Sequence, residues 1–478
     1  MSGTSASAHP PERKAFLQIH FVVVGGGIAG LSAAVALCRV GHRVTLLERD
    51  EDFDQKPTTV RGIRMPPNMT KIFNHWGMRP VIDEIGTVSG QVIMSRIEDS
   101  RTLGKHVWNH EMLEEAGGEF IFLNYHELRQ VLLRAAKDLG ADIRTGSDVA
   151  SITDDGRYAV LKNGERVHAD VIVGATGRLG LIRDLLASDQ EFDDSGKPRG
   201  LMLFDAVVPA SKLRADPELA TLLQEEFPQS TQWVWFGDNH CALSCHLSRD
   251  DDFAFYLYVP DDGKTPEARI RTAPSEVISA HAVNFEPRVQ RLAAASSGTC
   301  VKLVTRDVLE TWVHSSERLL GIGDAVHPFV PGSIQGPCMS LEDASVLAKL
   351  FSHLLEEAQI PSFLYAFEEI RRERTIKINN VDNQNVDFMT MPASEMATMR
   401  DNAMAATFKA GRNALDADEG DDASSQWTEN REIFGYDAED AANEWWQTWG
   451  LLRLRAKGAP QLAELGGIGG VAVARAEH

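Results

Sequence analysis

The segment Gly25-Gly26-Gly27-Ile28-Ala29-Gly30 constrains the fold of this 478-residue chain more than any other. Before it, Leu17 to Val24 has the apolar run of a buried strand. After it, Ile28 to Val40 has helical periodicity, and Arg43 to Leu47 is a second strand. Strand, glycine turn, helix and strand make a βαβ unit, which commits the chain to a parallel sheet covered by helices. Gly25 permits the tight turn, Gly27 lets backbone approach a pyrophosphate, and Gly30 lets helix and strand pack closely. The helix N-terminus adds free N–H groups and partial positive charge for phosphates. Glu48 ends the second strand, where a carboxylate can accept hydrogen bonds from an adenosine ribose. Its charge disfavours a 2′-phosphate there. Arg49, beside it, is grouped with the same binding residues.

A second motif lies about 300 residues further on: Leu320-Gly321-Ile322-Gly323-Asp324-Ala325-Val326-His327-Pro328, then Pro331, Gln335-Gly336 and Glu342-Asp343-Ala344. An apolar strand ends in Gly-Asp, a proline-containing loop follows, and a helix begins near Gly336. Ligands of open α/β sheets sit at the carboxyl ends of strands, so Asp324 can accept a hydrogen bond from a sugar-alcohol hydroxyl. The helix at Gly336 would aim its positive end at a group that becomes anionic, as a reduced flavin ring does. Together the two motifs point to FAD rather than NAD in the glycine-rich site.

On these residues the chain resembles the group A flavoprotein monooxygenases, in particular the fungal branch of salicylate hydroxylase-like enzymes, over roughly residues 20–380. Arg61-Gly62-Ile63, Pro66-Pro67-Asn68, His75-Trp76-Gly77 and Gly435-Tyr436-Asp437-Ala438-Glu439 are similar to that branch too. The resemblance implies a Rossmann-type α/β FAD-binding fold, para-hydroxybenzoate hydroxylase-like, with an antiparallel substrate-domain sheet and a helical C-terminal region. It implies FAD bound by Gly25, Gly27, Gly30, Glu48, Gly62, Arg129 and Asp324, with Gly336 at the ring. It also implies NADPH or NADH as electron donor, and oxygen transfer to the substrate through a flavin C4a-hydroperoxide. Pro331 would shape the active face of the flavin. The chain departs from the pattern at Thr176, where the family has aspartate, although the flanking Asp170 and Arg183 are intact. Ile334, Pro337 and Cys338 depart as well. Phe204-Asp205 stands where several hydroxylases place an arginine for an acidic substrate.

The remaining sequence divides into expected units. Residues 17–190 form a first FAD-binding part with a hairpin insertion near 88–110, and 191–300 form the substrate sheet. Residues 301–350 return to the FAD-binding part, and 351–478 are helical with a frayed end. Strand-like segments at 200–208, 231–237, 241–248 and 253–259 are the substrate sheet. Trp233, Trp235, Phe204, Phe255 and Tyr256 are its candidate pocket walls, with His246 and Tyr256 as candidate bases toward a phenolic hydroxyl. Cys241 and Cys245 lack a second pair of ligands, so no metal site is expected, and the five cysteines make no disulfide framework. A net charge of −21 argues against nucleic acid or an anionic membrane as partner. With no signal peptide and no transmembrane segment, the expectation is a cytoplasmic monomer or homodimer. Its partners would be a small aromatic substrate and O2. Epoxidation, Baeyer–Villiger-type insertion or simple oxidation on the same fold are alternatives, and a non-catalytic Rossmann binding module is a remote one.

Overall fold

The computed structural model describes residues 14–53, 61–223, 230–247, 252–263, 270–414 and 430–452. Its first sheet has five parallel strands in the order Leu319–Gly321, Val171–Gly174, His20–Val24, Arg43–Leu47, Asp142–Arg144. Val22 pairs with Ile172 on one side and Thr45 on the other, and Ile172 pairs with Leu319. The two motifs, far apart in sequence, thereby end at the same edge of one sheet. Apart from the exposed edge strand Asp142–Arg144, these strands are buried almost throughout, as a parallel sheet covered by helices requires. The helices Ile28–Arg39 and Gly336–Phe351 pack against each other beside it. A separate three-stranded sheet is formed by Val149–Ile152, Tyr158–Leu161 and Arg166–His168.

The second large sheet has ten strands. Its path runs Arg271–Ala273, Ser297–Thr305, Lys197–Val208, Phe253–Pro260, Cys241–His246, Ser230–Phe236, Thr87–Arg96, Ile121–Asn124, Gly62–Met65, and Thr102–Val107 pairs with Thr87–Arg96 off the path. The hairpin expected near 88–110 is present as the antiparallel pair Thr87–Arg96 and Thr102–Val107. It joins the substrate sheet through a parallel pairing with Ser230–Phe236, so early and middle parts of the chain share one sheet. The strand Ser297–Thr305 and the helix Pro287–Ala295, which no local motif announces, complete the sheet edge and cover its outer face.

One face of this sheet carries the apolar cluster of Phe204, Trp233, Trp235 and Phe255 against Ile278, Val289 and Leu292 of the covering helices. The opposite face carries Leu203, Leu243, Tyr256, Tyr258 and Val301 with Val330 of the Gly-Asp loop. Beyond the Gly336 helix, Ile360–Met389 runs 30 residues along the molecule, followed by Glu395–Lys409 and Ala438–Trp445. The acidic, small-residue stretch Leu415 to Ser425, which reads from its composition as a surface loop, and the chain end expected to fray lie outside the described residues. No helix among the described residues is long and apolar enough to cross a membrane.

Candidate active site

At the end of His20–Val24 the chain turns through Gly25 with φ +109°, a conformation L side chains rarely adopt. A Cβ on Gly30 would run into the Gly25 carbonyl, whereas one on Gly27 would meet nothing within 4 Å. Gly27 instead opens on a cavity of about 430 Å³. The three glycines therefore divide the work as a phosphate-cradling turn requires: one bends, one packs, one leaves room. The Glu48 carboxylate accepts hydrogen bonds from Gly26 N–H (2.5 Å) and Asp50 N–H (3.0 Å). Arg129 Nε donates to the Gly26 carbonyl at 2.8 Å, and its guanidinium lies 4.4 Å from the Phe53 ring centroid. Glu48 and Arg129 thus both grip the glycine turn, although neither lines the cavity. Arg49 is exposed at the surface beside Asp50.

Across the cavity, Asp324 follows the strand Leu319–Gly321, and Arg178 Nη2 donates to its carboxylate at 2.6 Å. No sequence motif singles out Arg178; it lies in the loop after Val171–Gly174, and the parallel pairing of that strand with Leu319–Gly321 brings the loop beside Asp324. Thr176 does not point to this site. Its hydroxyl oxygen accepts from Ile182 N–H at 3.2 Å and so caps the next helix. Arg183 is fully buried, bound to Asp194 at 2.7 and 2.8 Å and to the Asp307 carbonyl at 2.9 Å. Both are explained by local structure.

The loop from Pro328 to Gln335 is pinned from several sides. Arg64 donates to the Gly332 carbonyl, Ser333 donates its hydroxyl to Asp382, and Gln335 N–H meets Asp382 at 3.1 Å. Pro331, Gly332 and Ser333 line the cavity, as do Gly336 and Ser340 at the start of Gly336–Phe351. That helix brings its free N–H groups to the cavity with no acidic residue in its first turn.

Beneath the loop lies a sealed ionic cluster. Asp343 accepts from Gly323 N–H at 2.9 Å, from Arg371 Nε at 2.8 Å, and meets His327 Nε2 at 2.6 Å. Glu342 binds Arg371 at 2.6 Å, Arg374 at 2.7 Å and the Asn68 amide at 2.9 Å. Burial alone would raise the Asp343 carboxyl, but the charges of His327 and Arg371 outweigh it and hold it at about 2. Glu342-Asp343 is therefore the clamp that fixes the loop bearing Asp324. His327 packs that loop and does not reach the cavity.

The substrate side of the cavity is set by strand parity. Leu203, Asp205, Tyr256, Thr299 and Val301 line it, with Arg61, Gly62 and Arg64 facing them. Phe204, Phe255, Trp233 and Trp235 point the other way, into the helix-covered core. Trp235 Nε1 bonds to Glu286 at 2.7 Å and Trp233 Nε1 to the Leu222 carbonyl at 3.2 Å. Four of the five expected wall residues are thus core, and Tyr256 alone is wall. His246 shares the parity of Ala242 on the covered face, with its ring 4.7 Å from that of Phe253. Burial lowers its pKa to about 4, and the structure does not bring it to the cavity. A Cβ on Gly62 would run into the Tyr256 hydroxyl, which accounts for glycine at that position.

Gly27, Gly62, Asp324, Gly336, Pro331 and Tyr256, expected from sequence, meet at one cavity; Asp205 and Thr299 join them from the substrate sheet, Arg64 from Gly62–Met65, and Arg178 from the loop after Val171–Gly174. The donor set suits a dinucleotide: open backbone at Gly27, two helix N-termini, and a carboxylate at a strand end. The FAD binding domain family matches residues 18–381. This chain belongs to that family. The FAD-dependent monooxygenase OpS4 of Beauveria bassiana (strain ARSEF 2860) is 30% identical over 431 residues, covering 88% of this chain and 95% of its own. Among solved structures, CtdE in complex with FAD and substrate 4 superposes with a TM-score of 0.74 at 19% identity, over 91% of this chain and 99% of its own. A salicylate hydroxylase substrate complex gives 0.68 at 19% identity, over 89% and 97%. The protein is an FAD-dependent monooxygenase of the para-hydroxybenzoate hydroxylase-like fold, and NAD(P)H is the electron donor typical of its family. The binding-module alternative is set aside by this relationship.

Proposed function

We propose that this monooxygenase hydroxylates an aromatic metabolite, phenolic or indolic, taking one oxygen atom from O2 and electrons from NADH or NADPH. The observation that carries the reading is a single cavity. Gly27, Asp324 and Gly336 line one side of it, and Leu203, Tyr256, Thr299 and Val301 line the other. FAD, when bound, supplies the oxygen-activating chemistry. The chain's own part is to hold, orient and shield. The glycine turn and the N-terminus of Ile28–Arg39 would take the pyrophosphate, Glu48 the ribose, and Asp324 a sugar-alcohol hydroxyl. The N-terminus of Gly336–Phe351 would stabilise negative charge on the ring.

Leu203, Val301, Phe329 and Val330 exclude water from the reacting face, which favours oxygen transfer over loss of peroxide. Burial drives the Tyr256 phenol well above its ordinary value of 10, so it serves as an O–H donor toward substrate. Pro331 and Gly332 form the opposite rim, held by Arg64. Turnover of phenols and indoles with NADH or NADPH under ¹⁸O2 tests the reading. The expected result is one labelled oxygen atom in an aromatic product. NAD(P)H consumption that yields only hydrogen peroxide with every aromatic overturns it.

A further inference from the structure

The substrate wall holds a carboxylate that the cofactor site does not use. Asp205 stands directly opposite Tyr256 on one neighbouring strand and Thr299 on the other, and all three line the cavity. Part of the residue opens onto the cavity. Its Oδ1, by contrast, is buried and has no hydrogen-bond partner among the described residues. The nearest cations are spoken for: Arg64 donates to Gly332 and lies 5.0 Å from the Tyr256 ring centroid, while Arg61 lies 4.8 Å from that of Tyr125. An enclosed carboxylate oxygen without a partner is costly, and proteins keep such groups where a ligand completes them.

We propose that Asp205 is the specificity-determining residue of the substrate pocket, accepting a hydrogen bond from an O–H or N–H on the aromatic ring that is oxygenated and excluding carboxylate-bearing aromatics. This rests on the aromatic-hydroxylase reading above. The assigned step is a proton transfer. For a phenolic donor, the O–H proton passes to an Asp205 carboxylate oxygen and the electron pair of the broken O–H bond spreads into the ring. An indolic N–H keeps its proton and donates only the hydrogen bond, which polarises the ring the same way. The ring carbon is thereby more nucleophilic toward the oxygen that O2 and NAD(P)H supply through the established activity. Both directions of specificity follow from charge: a donor is drawn to the under-paired carboxylate, whereas a substrate carboxylate would face an anion.

The surroundings leave Asp205 as the group that titrates. Burial raises its carboxyl to about 7, with Arg61, Arg64 and the Gly62 N–H pulling the other way. The other groups facing it keep one protonation state across neutral pH. Tyr258 and Cys245 are each pushed up to about 12 by burial, Tyr256 is driven well above its ordinary value, and Arg64 is raised above its ordinary value.

The test uses the FAD-loaded enzyme and follows binding of phenol, indole, anisole, N-methylindole and salicylate by perturbation of the flavin spectrum between pH 5.5 and 8.5. Flavin content and Tm confirm folding of Asp205→Asn and Asp205→Ala. Wild type should bind phenol and indole roughly ten- to a hundred-fold more tightly than Asp205→Ala, while anisole and N-methylindole bind both alike. Donor binding by wild type should change with an apparent pKa near 7, and Asp205→Asn should abolish that dependence. Equal losses for donors and methylated probes, no loss, or no donor binding by wild type would each overturn the proposal, as would salicylate binding more tightly than phenol. Oxygen insertion is scored separately with ¹⁸O2. Asp205-dependent binding without insertion sinks the hydroxylase reading and keeps the recognition role; insertion that ignores Asp205 does the reverse.

Discussion

Asp343 and Asp205 are both enclosed by protein near the same loop, and they are driven in opposite directions. Asp343, fully buried under the loop, is held at about 2; Asp205, on the sheet wall, is raised to about 7. Burial penalises both anions. The difference is pairing: Asp343 has His327, Arg371 and a backbone N–H against its oxygens, while one oxygen of Asp205 has no partner among the described residues. A saturated carboxylate is scaffold, because it has no capacity left for a ligand. An unsaturated one at a cavity wall keeps that capacity. The same amino acid thus serves rigidity in one region and recognition in the other, and hydrogen-bond completeness separates the two roles.

The largest expected effect comes from breaking the paired region. Arg371→Leu strands Glu342 and Asp343 without their shared cation and should cost about 3–5 kcal/mol in denaturant unfolding. A loss below about 1 kcal/mol would show that Arg374 and His327 suffice, and would collapse the contrast. Gly62→Ala strikes the other region by driving a methyl into Tyr256 beside Asp205. Overpacking should cost about 1–3 kcal/mol, and the denaturation midpoint measures it. Glu48→Ala is the intermediate case, a carboxylate satisfied by backbone N–H groups. Its loss should weaken FAD binding roughly tenfold in a flavin-release titration. Unchanged flavin retention would remove Glu48 from the site.

The smallest effect is a pH signature with opposite signs in the two regions. Asp343 is depressed from 3.8, so the stability it contributes is present above pH 3.8 and is lost as pH falls toward 2. Asp205 is raised from 3.8, so the folded chain holds a proton that the unfolded chain releases. Its contribution is greatest below pH 3.8 and declines as pH rises to about 7. Asp205→Asn should remove that decline, with a Tm roughly 2 °C above wild type at pH 8 and no advantage near pH 4. Thermal scans across this range check it; a Tm below wild type at pH 8 would contradict an unsatisfied anion.

The legible part of this protein is the part written in contiguous residues. Gly25, Gly27 and Gly30 are adjacent because the turn, the close approach and the helix packing all occur within one strand–helix junction. Gly-Asp at 323–324 is legible for the same reason. Tertiary geometry hid the rest. Trp233, Trp235, Phe204 and Phe255 look like pocket aromatics, but a strand alternates faces and only a known register tells which face meets the cavity. The register put Tyr256 and Asp205 inward, and His246 with the tryptophans outward. Asp205 was visible only as a missing arginine. The signal that finds it is its position opposite Tyr256 and Thr299, which no window of sequence contains.

The sequence by itself determined the cofactor-binding unit and the fold around it, because backbone turns, helix ends and buried strands depend on residues near one another in the chain. The tertiary structure decided the rest. Three strands set Asp205, Tyr256 and Thr299 in a row, two helices sealed Asp343 under the loop, and Arg178 was laid against Asp324 across a parallel pair. The chemistry of a carboxylate is set by what surrounds it in space, and in this molecule that surrounding is assembled across the fold: Asp324 takes its arginine from 146 positions away, while Asp343 takes its partners from 16 to 28 positions away on other elements.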